Sequence, residues 1–279
     1  MVCETDEQFT TNVEGMKGGC DVMKQRERRE YLIRQLLNES RQYRGMEIPT
    51  DPEEQQYLLR GLMNIRYPGE IGADFLEVQD AYLTEETARK GITDVDGLVP
   101  LQGAMYLWQG DITTLRCDAI VNAANSGMTG CYVPNHRCID NCIHTYAGVQ
   151  LRLDCAHIME AQGHEEPTGQ AKITPAYNLP CRCILHTVGP IVRGPLTDED
   201  RALLASCYRS CLILAAQHGL ESVAFCCIST GEFHFPNEEA ARIAVHTVSD
   251  FLQTQSSVRK VIFNVFKDTD RQIYEALLG

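Results

Sequence analysis

The apolar positions in the first third of the chain recur at helical spacing. In "RREYLIRQLLNES", residues 28–40, Leu32 and Leu36 lie four residues apart, as do Ile33 and Leu37. Residues four apart share one face of a helix, so this spacing predicts a helix with one buried apolar face.

Two further helices are predicted before residue 92. The first begins after Asp51, a residue type that caps helix N-termini, and has Pro52 at its first helical position. The second covers "ADFLEVQDAYLTEETARKG", residues 73–91. No strand pattern is found between residues 24 and 90, so this region is predicted to be helical.

A different pattern begins near residue 100, where short apolar runs alternate with amphipathic segments. Runs and segments of these lengths predict an α/β sandwich around a mostly parallel sheet. In such sheets ligands bind beyond the carboxyl ends of the strands. The strands are predicted within 104–110, 117–125, 169–177, 181–190, 222–230 and 259–266, and the helices within 139–163, 197–219, 236–253 and 269–279.

These patterns divide the chain into three regions. We predict a flexible tail over residues 1–22, an N-terminal helical extension over residues 23–99 and an α/β domain over residues 100–279. Glycine-rich loops follow several of the predicted strands of that domain, and two of them run into helix starts. Such loops expose backbone N–H groups, an arrangement that suits phosphate.

Composition and charge narrow the class of partner. The 279 residues are 44% hydrophobic and 23% charged, which is ordinary for a globular protein. The formal net charge of −13 argues against a nucleic-acid polymer as ligand. No apolar run is long enough to span a bilayer, and the first residues do not resemble a signal peptide, so we expect no membrane association and a cytoplasmic location.

The 13 cysteines predict reduced thiols, because the count is odd and no export signal is found. Several lie in apolar runs and are predicted to be small buried hydrophobes. These are Cys183, Cys207, Cys211, Cys226 and Cys227.

One cysteine pair has a loop context instead. Cys131, His136 and Cys138 offer two thiols and one imidazole within eight residues, a donor set that suits Zn²⁺. Three protein ligands would leave a fourth position for water or substrate. The alternative is that three reduced side chains lie close together by accident. Cys142 and His144 are spare candidates that we expect to serve in packing.

Four motifs in order resemble those of macrodomains, the ADP-ribose-binding α/β/α modules. They are "QGDIT" at 109–113, "IVNAANS" at 120–126, "HTVGP" at 186–190 and "ISTGEFHFP" at 228–236. In addition, "CIDNCIHTYAG" at 138–148 is similar to a segment of the macrodomains that remove ADP-ribose from proteins. The preceding "GCYVPNHRC" and the "LLRGLMNIRYP" of the extension resemble microbial zinc-containing macrodomains. The resemblance implies a three-layer α/β/α fold with a mixed, mostly parallel sheet and the helical extension.

The resemblance also implies the residues that bind ADP-ribose. Asp111 would accept a hydrogen bond from the adenine amino group; its alternative role is a turn aspartate. Phe266 would flank the adenine, with a core aromatic as the competing interpretation. Glu232 is expected to point its carboxylate to solvent, away from the diphosphate. The full expected binding set is Asp111, Ile112, Asn122, Ala124, Asn125, Ser229, Thr230, Gly231, Glu232, Phe233, Asn264 and Phe266.

The catalytic residues implied by the same family are Asn125 and Asp140, with Asn141 assisting. Asp140 would orient or activate the attacking water near the distal ribose, although an aspartate at a helix start also interacts favourably with the helix dipole. Asn125 would hold ribose hydroxyls, with a turn residue as the alternative. Zn²⁺ would polarise a ribose oxygen or lower the pKa of a water.

The favoured function is therefore a zinc-dependent hydrolase that removes mono-ADP-ribose from protein side chains, most simply from acidic, ester-linked ones. Its partners would be ADP-ribose and the modified protein, with the enzyme acting as a monomer. Two alternatives stay open. One is a reader that binds ADP-ribose without cleaving it, and the other is a deacetylase of O-acetyl-ADP-ribose.

Overall fold

The computed structural model describes residues 23–279. The tail expected at residues 1–22 lies outside the described residues. Three helices form the N-terminal extension: α1 (Gln25–Glu39), α2 (Pro52–Ile65) and α3 (Ala73–Lys90). The Asp51 carboxylate caps α2 by accepting hydrogen bonds from two backbone N–H groups, as its position next to Pro52 predicts.

The helices of the extension share an apolar cluster of their own. The four residues whose spacing predicts a buried face on α1, namely 32, 33, 36 and 37, are all buried. They pack with apolar residues of α2 and α3, and Val149 of the following domain joins them. The extension is therefore packed onto the α/β domain through an apolar contact.

The remaining elements alternate between strand and helix. The strands are β1 (Thr93–Asp94), β2 (Met105–Gln109), β3 (Leu115–Arg116), β4 (Ala119–Ala124), β5 (Ala171–Pro175), β6 (Cys183–Val188), β7 (Ser222–Phe225) and β8 (Lys260–Val265). The helices are α4 (Ile139–Ala147), α5 (Val149–Gln162), α6 (Asp198–Gln217), α7 (Asn237–Leu252) and α8 (Asp268–Leu278).

Six strands form one sheet in the order β2-β8-β7-β4-β6-β5. All neighbours in it are parallel except β5, which runs antiparallel to β6. β1 and β3 pair separately. The chain moves from β4 to one side of the sheet and then returns to β7 on the other side, so a topological switch point lies at β4 and β7, where parallel sheets bind ligands.

Helices cover both faces of the sheet. On one face α7 packs between α6 and α8, and on the other α4 packs with α5 and touches α2 and α3 of the extension. Right-handed crossovers from β6 through α6 to β7 and from β7 through α7 to β8 place those helices on the same face. The result is the expected three-layer α/β/α arrangement, with a mixed, mostly parallel sheet.

Two details differ from the sequence-based expectation. The helix expected over 139–163 is broken into α4 and α5 at Gly148, which has φ 104°. A Cβ there would come within 2.7 Å of Gln79 Nε2 on α3, so the close approach of the extension requires glycine. The strand expected over 222–230 ends at Phe225, and the following residues form a turn.

Every cysteine in the described part of the chain is free. The five predicted to pack as hydrophobes are buried, apart from Cys227, which is partly exposed. Among the described helices there is none with the length and apolar character that a bilayer crossing requires.

Candidate active site

The carboxyl ends of β2 and β8 form one end of the site. Asp111 follows β2 and caps a short 3₁₀ turn, where its Oδ1 accepts hydrogen bonds from the Thr113 backbone N–H at 3.0 Å and hydroxyl at 2.6 Å. Its Oδ2 lies 2.9 Å from Lys90 Nζ at the end of α3. Burial raises the pKa of Asp111, but Lys90 and Thr113 outweigh it and hold that pKa below its usual value. Asp111 is therefore an oriented carboxylate at neutral pH.

Phe266 and Asn264 flank the same end. The Phe266 side chain is 77% exposed, which excludes the core alternative and leaves the ring free to meet a ligand. Asn264 is buried and donates from Nδ2 to the Gly110 carbonyl at 3.0 Å. Its amide thus ties the end of β8 to the turn that carries Asp111.

The end of β4 carries the most tightly organised polar cluster. Asp140, in the first turn of α4, accepts a hydrogen bond on Oδ1 from Asn122 Nδ2 at 2.8 Å and on Oδ2 from Asn125 Nδ2 at 3.1 Å. Asn125 also donates to the Gly130 carbonyl at 3.1 Å. Asn122 has no exposed surface, so it lies beneath the site and holds Asp140 in place. Both carboxylate oxygens are therefore fixed by amide donors.

Burial raises the pKa of Asp140 to about 6, against the opposing effect of its two amide donors and of Arg152. Arg152, on α5, also donates to the carbonyls of Asn64 and Arg66 at the end of α2. Because its pKa is about 6, the Asp140 carboxyl can exchange a proton close to neutral pH, a property that favours acid–base chemistry.

Two histidines lie behind this cluster. His186, on β6, faces Asn122 Nδ2 through Nδ1 at 3.1 Å and Thr174 through Nε2 at 2.9 Å. His144 Nε2 is 3.5 Å from Asp140 Oδ1. Burial lowers the pKa of His186 to about 3 and that of His144 well below its usual value, so both rings are neutral and add no charge behind Asp140.

The three predicted metal ligands lie together in the loop between β4 and α4, residues 125–138, which we name the metal loop after these candidates. One donor atom from each of Cys131, His136 and Cys138 lies within 4.8 Å of the others. Cys131 Sγ and His136 Nδ1 are 3.5 Å apart. A tetrahedral Zn²⁺ with a Zn–S distance of about 2.3 Å and a Zn–N distance of about 2.05 Å would separate such donors by about 3.6 Å. The geometry and chemistry of the donor set therefore fit Zn²⁺.

The Cys138 thiol is protonated in the absence of a cation. Burial raises the pKa of Cys138 to about 12, and the neighbouring Cys131 thiol acts in the same direction. Metal ligation requires thiolates, so binding would release protons. Cys142 lies outside the donor set, as expected, and its Sγ instead accepts a hydrogen bond from Arg60.

The extension holds this loop from behind. Arg60, on α2, donates to the His136 carbonyl at 2.7 Å and to Asn141 Oδ1 at 3.1 Å. The Asn141 amide in turn donates to the Cys131 and Val133 carbonyls at 3.3 and 3.1 Å. Asn141 is fully buried, so the structure places it as a brace of the loop.

The loop after β7 is the predicted diphosphate loop. Ser229 has φ 65°, and its buried Oγ has no hydrogen-bond partner among the described residues. A Cβ on Gly189 would collide with this oxygen, so the loop after β6 requires glycine there. Val192 donates to the Phe233 carbonyl at 2.9 Å and pins the two loops together. The Ser229 hydroxyl, which has no partner among the described residues, can donate a hydrogen bond to an anionic ligand.

The rest of this loop follows the expectation in part. The Glu232 side chain is 70% exposed, as predicted, but its Oε1 lies 3.6 Å from His136 Nε2. The diphosphate loop and the metal loop therefore meet. In the same loop the Thr230 hydroxyl donates to the Cys227 carbonyl at 3.0 Å.

Two other members of the expected binding set lie outside this loop. Ile112, after β2, and Ala124, at the end of β4, are both buried.

The chain matches the model of the Macro domain over residues 121–244. It is 58% identical to a Treponema medium protein named protein-ADP-ribose hydrolase, over 92% of this chain and 100% of that one. It is 52% identical to a Staphylococcus aureus protein of the same name, over 89% of this chain and 94% of that one.

The chain belongs to the macro domain family.

Solved macrodomains agree with this assignment. A Trypanosoma brucei macrodomain in complex with ADP-ribose matches with a TM-score of 0.62 and 28% identity, over 78% of this chain and 95% of that one. A mutant Oceanobacillus iheyensis macrodomain with ADPR matches with a TM-score of 0.57 and 39% identity, over 62% of this chain and 91% of that one. The fold predicted from the four motifs is thus confirmed.

Three side chains at the site of this macrodomain were missed by sequence reasoning. They are Lys90 beside Asp111, Arg60 behind the metal loop and Arg152 near Asp140. Arg60 lies in "LLRGLMNIRYP", the segment that resembles the extension of zinc-containing macrodomains, so that resemblance could have pointed to it. Nothing in the local sequence marks Lys90 or Arg152.

Proposed function

We propose that this macrodomain protein is a zinc-dependent hydrolase that releases ADP-ribose from mono-ADP-ribosylated proteins, with ester-linked acidic side chains as its substrates. The hydrolase class follows from relatives of 50–58% identity that are named protein-ADP-ribose hydrolase. The observation that carries the finer proposal is the shared loop. A Cys₂His donor set and the Asn125–Asp140 pair both lie between the end of β4 and the start of α4.

Each part of the ligand has a matching part of the site. The adenine would lie at Asp111 and Phe266, at the ends of β2 and β8. The diphosphate would lie on the backbone N–H groups of residues 229–233, near the orphan hydroxyl of Ser229. The distal ribose would then reach the metal loop and Asp140.

Asp140 would act as the base. Its pKa of about 6 leaves it mostly ionised at neutral pH and able to accept a proton from an attacking water. Asn122 and Asn125 fix the two oxygens and so hold the acceptor in one orientation. A Zn²⁺ ion held by Cys131, His136 and Cys138 would supply a Lewis acid beside the sugar.

The number of acid–base groups in the site supports the proposal of an ester linkage. Cleavage at the anomeric carbon passes through an oxocarbenium-like transition state. A carboxylate leaves as a weak base, so it needs little protonation. The site offers one buried carboxyl near neutral pKa and two neutral histidines behind it, which suits a reaction that needs a base but no strong acid.

The test combines metal analysis with turnover. We expect one zinc per chain in the purified protein, and release of ADP-ribose from glutamate-linked but not serine-linked modified protein. Cys131→Ala should lose both zinc and turnover, whereas Cys142→Ala, a matched change outside the donor set, should keep both. Full turnover in a verified zinc-free Cys131→Ala protein would refute the metal role. Binding of ADP-ribose without any release would identify a reader.

A further inference from the structure

A groove of about 650 Å³ lies between the extension and the metal loop. One wall is formed by α2 and the segment that joins it to α1. The other wall is formed by Pro134 and Asn135, which directly precede the metal-ligand candidate His136. None of the residues predicted to bind ADP-ribose lines this groove, so it is separate from the nucleotide site.

The surface of the groove is largely apolar and open to solvent. Tyr57 is 67% exposed and Met46 is 53% exposed, and both line it with Leu58, Leu62 and Ile65. Large apolar side chains exposed side by side are typical of an interaction site. The Tyr57 side chain lies on the solvent side of α2, so it does not contribute to the core of the extension.

Every charged residue that lines the groove is acidic. These residues are Glu47, Glu53 and Glu54. None of them forms an ion pair with another residue in the range 23–279. Unpaired carboxylates around an apolar surface favour a partner that carries both basic and apolar side chains.

The groove and the metal loop form one packed unit. The Asn135 N–H donates to Asn64 Oδ1 on α2 at 2.9 Å. A Cβ on Gly61 would lie 3.0 Å from Asn135 Nδ2, so α2 touches the loop closely there. Arg60, the residue before Gly61 on α2, donates to the His136 carbonyl. A chain lying in the groove would therefore pass beside the metal loop.

We propose that this groove binds the polypeptide that flanks the modified side chain, and that it selects flanking segments with apolar and basic residues. The inference rests on the proposed function, since a sugar–protein bond held at the metal loop brings its polypeptide to this wall. Two other occupants fit the charge poorly. Residues 1–22 carry five acidic residues and one lysine, and a second copy of the chain carries a net charge of −13.

The test uses two ADP-ribosylated peptides of equal length, each modified on one glutamate. Leucine and lysine flank the modified residue in one, and serine and aspartate flank it in the other. For the full-length zinc-loaded protein we expect kcat/KM to be about tenfold higher on the first peptide, with the difference in KM.

Two variants place that preference in the groove. Tyr57→Ala removes the exposed ring, and Glu47→Lys reverses one rim charge. Both should lower kcat/KM on the leucine–lysine peptide about tenfold and leave the Kd for free ADP-ribose within about twofold. The matched controls are Ile213→Ala and Glu160→Lys, exposed positions on α6 and α5 whose changes should leave both quantities as in the wild type.

The outcomes separate the two proposals. Hydrolysis of both peptides at equal kcat/KM, or groove variants indistinguishable from their controls, would overturn the groove proposal and leave the hydrolase intact. Hydrolysis of neither peptide by folded zinc-loaded protein would count against the proposed function itself. A concentration-dependent dimer in sedimentation that Tyr57→Ala abolishes would show a second copy in the groove and would also overturn the proposal.

Discussion

Arg60 provides a test of whether the extension contributes to the proposed metal site. Arg60→Met keeps most of the aliphatic stem but removes the guanidinium that donates to the His136 carbonyl at 2.7 Å, to Asn141 Oδ1 at 3.1 Å and to Cys142 Sγ at 3.5 Å. The variant thus removes hydrogen bonds to the loop without substituting any of the three donor residues or changing their ligand atoms.

The expected loss can be bounded from these contacts. A hydrogen bond that involves a charged group contributes about 1.5–3 kcal/mol, so the two shorter contacts set an upper bound of about 6 kcal/mol. The loop keeps the Asn135–Asn64 bond and the two amide bonds from Asn141, so only part of that energy reaches the metal. Loss of an outer partner of a metal ligand commonly lowers metal affinity 10–100-fold, and we expect a change of about that size.

The measurement is zinc affinity by competition with a chromophoric chelator at fixed pH, with circular dichroism to verify folding. Arg34→Met is the matched control, because the Arg34 side chain is exposed on α1 and forms neither a hydrogen bond nor an ion pair within residues 23–279. We expect wild-type zinc affinity in that control. A folded Arg60→Met protein with zinc affinity within about threefold of wild type would refute the reasoning.

Three further predictions concern other parts of the site. Asn125→Ala removes a donor to Asp140 and should lower kcat about 100-fold while the Kd for ADP-ribose changes less than about threefold, as single-turnover and binding measurements would show. Lys90→Met removes the half-exposed ion pair with Asp111 and should weaken ADP-ribose binding by up to about fivefold, as measured by calorimetry. An unchanged Kd for ADP-ribose would show that the ion pair is dispensable for binding. The folded-state pKa of His186, about 3, lies below the unfolded value of about 6.5, so the unfolded chain takes up the proton first and stability falls as pH falls through that window. Between pH 6.5 and pH 5 the free energy of unfolding of wild type relative to His186→Gln should drop by about 1.6 kcal/mol in urea titrations, and a pH-independent difference would show that His186 is not neutral in the folded protein.

The parts of the site that the sequence predicts are those formed by neighbouring residues. Cys131, His136 and Cys138 lie within one loop, so their spacing allows all three donor atoms to come together, as they do in the structure. The strand-to-helix junction after β4 likewise brings Asn125 to Asp140 across only 15 positions. Local periodicity and caps also fix the helices, as the Asp51 cap shows.

The parts that the sequence does not predict depend on packing between distant segments. Lys90 meets Asp111 because α3 lies against the end of β2, and Arg60 reaches His136 across 76 positions because α2 lies behind the metal loop. The break at Gly148 has the same origin. Its neighbours continue the helical pattern on both sides, and only the approach of α3 explains why a glycine with positive φ is needed there.

These long-range contacts bear on what the extension does. It supplies Lys90 beside Asp111 and Arg60 beside the His136 carbonyl, from two different helices, and Arg152 of α5 donates to the carbonyls at the end of α2 in return. A module that merely covered the sheet would not need contacts at both ends of the ligand site. The match to the Treponema medium hydrolase points the same way, because the 8% of the chain outside it is much shorter than residues 23–99, so the match includes most of the extension. The extension is therefore a structural part of the candidate active site, because α2 braces the metal loop through Arg60 and α3 orients Asp111 through Lys90.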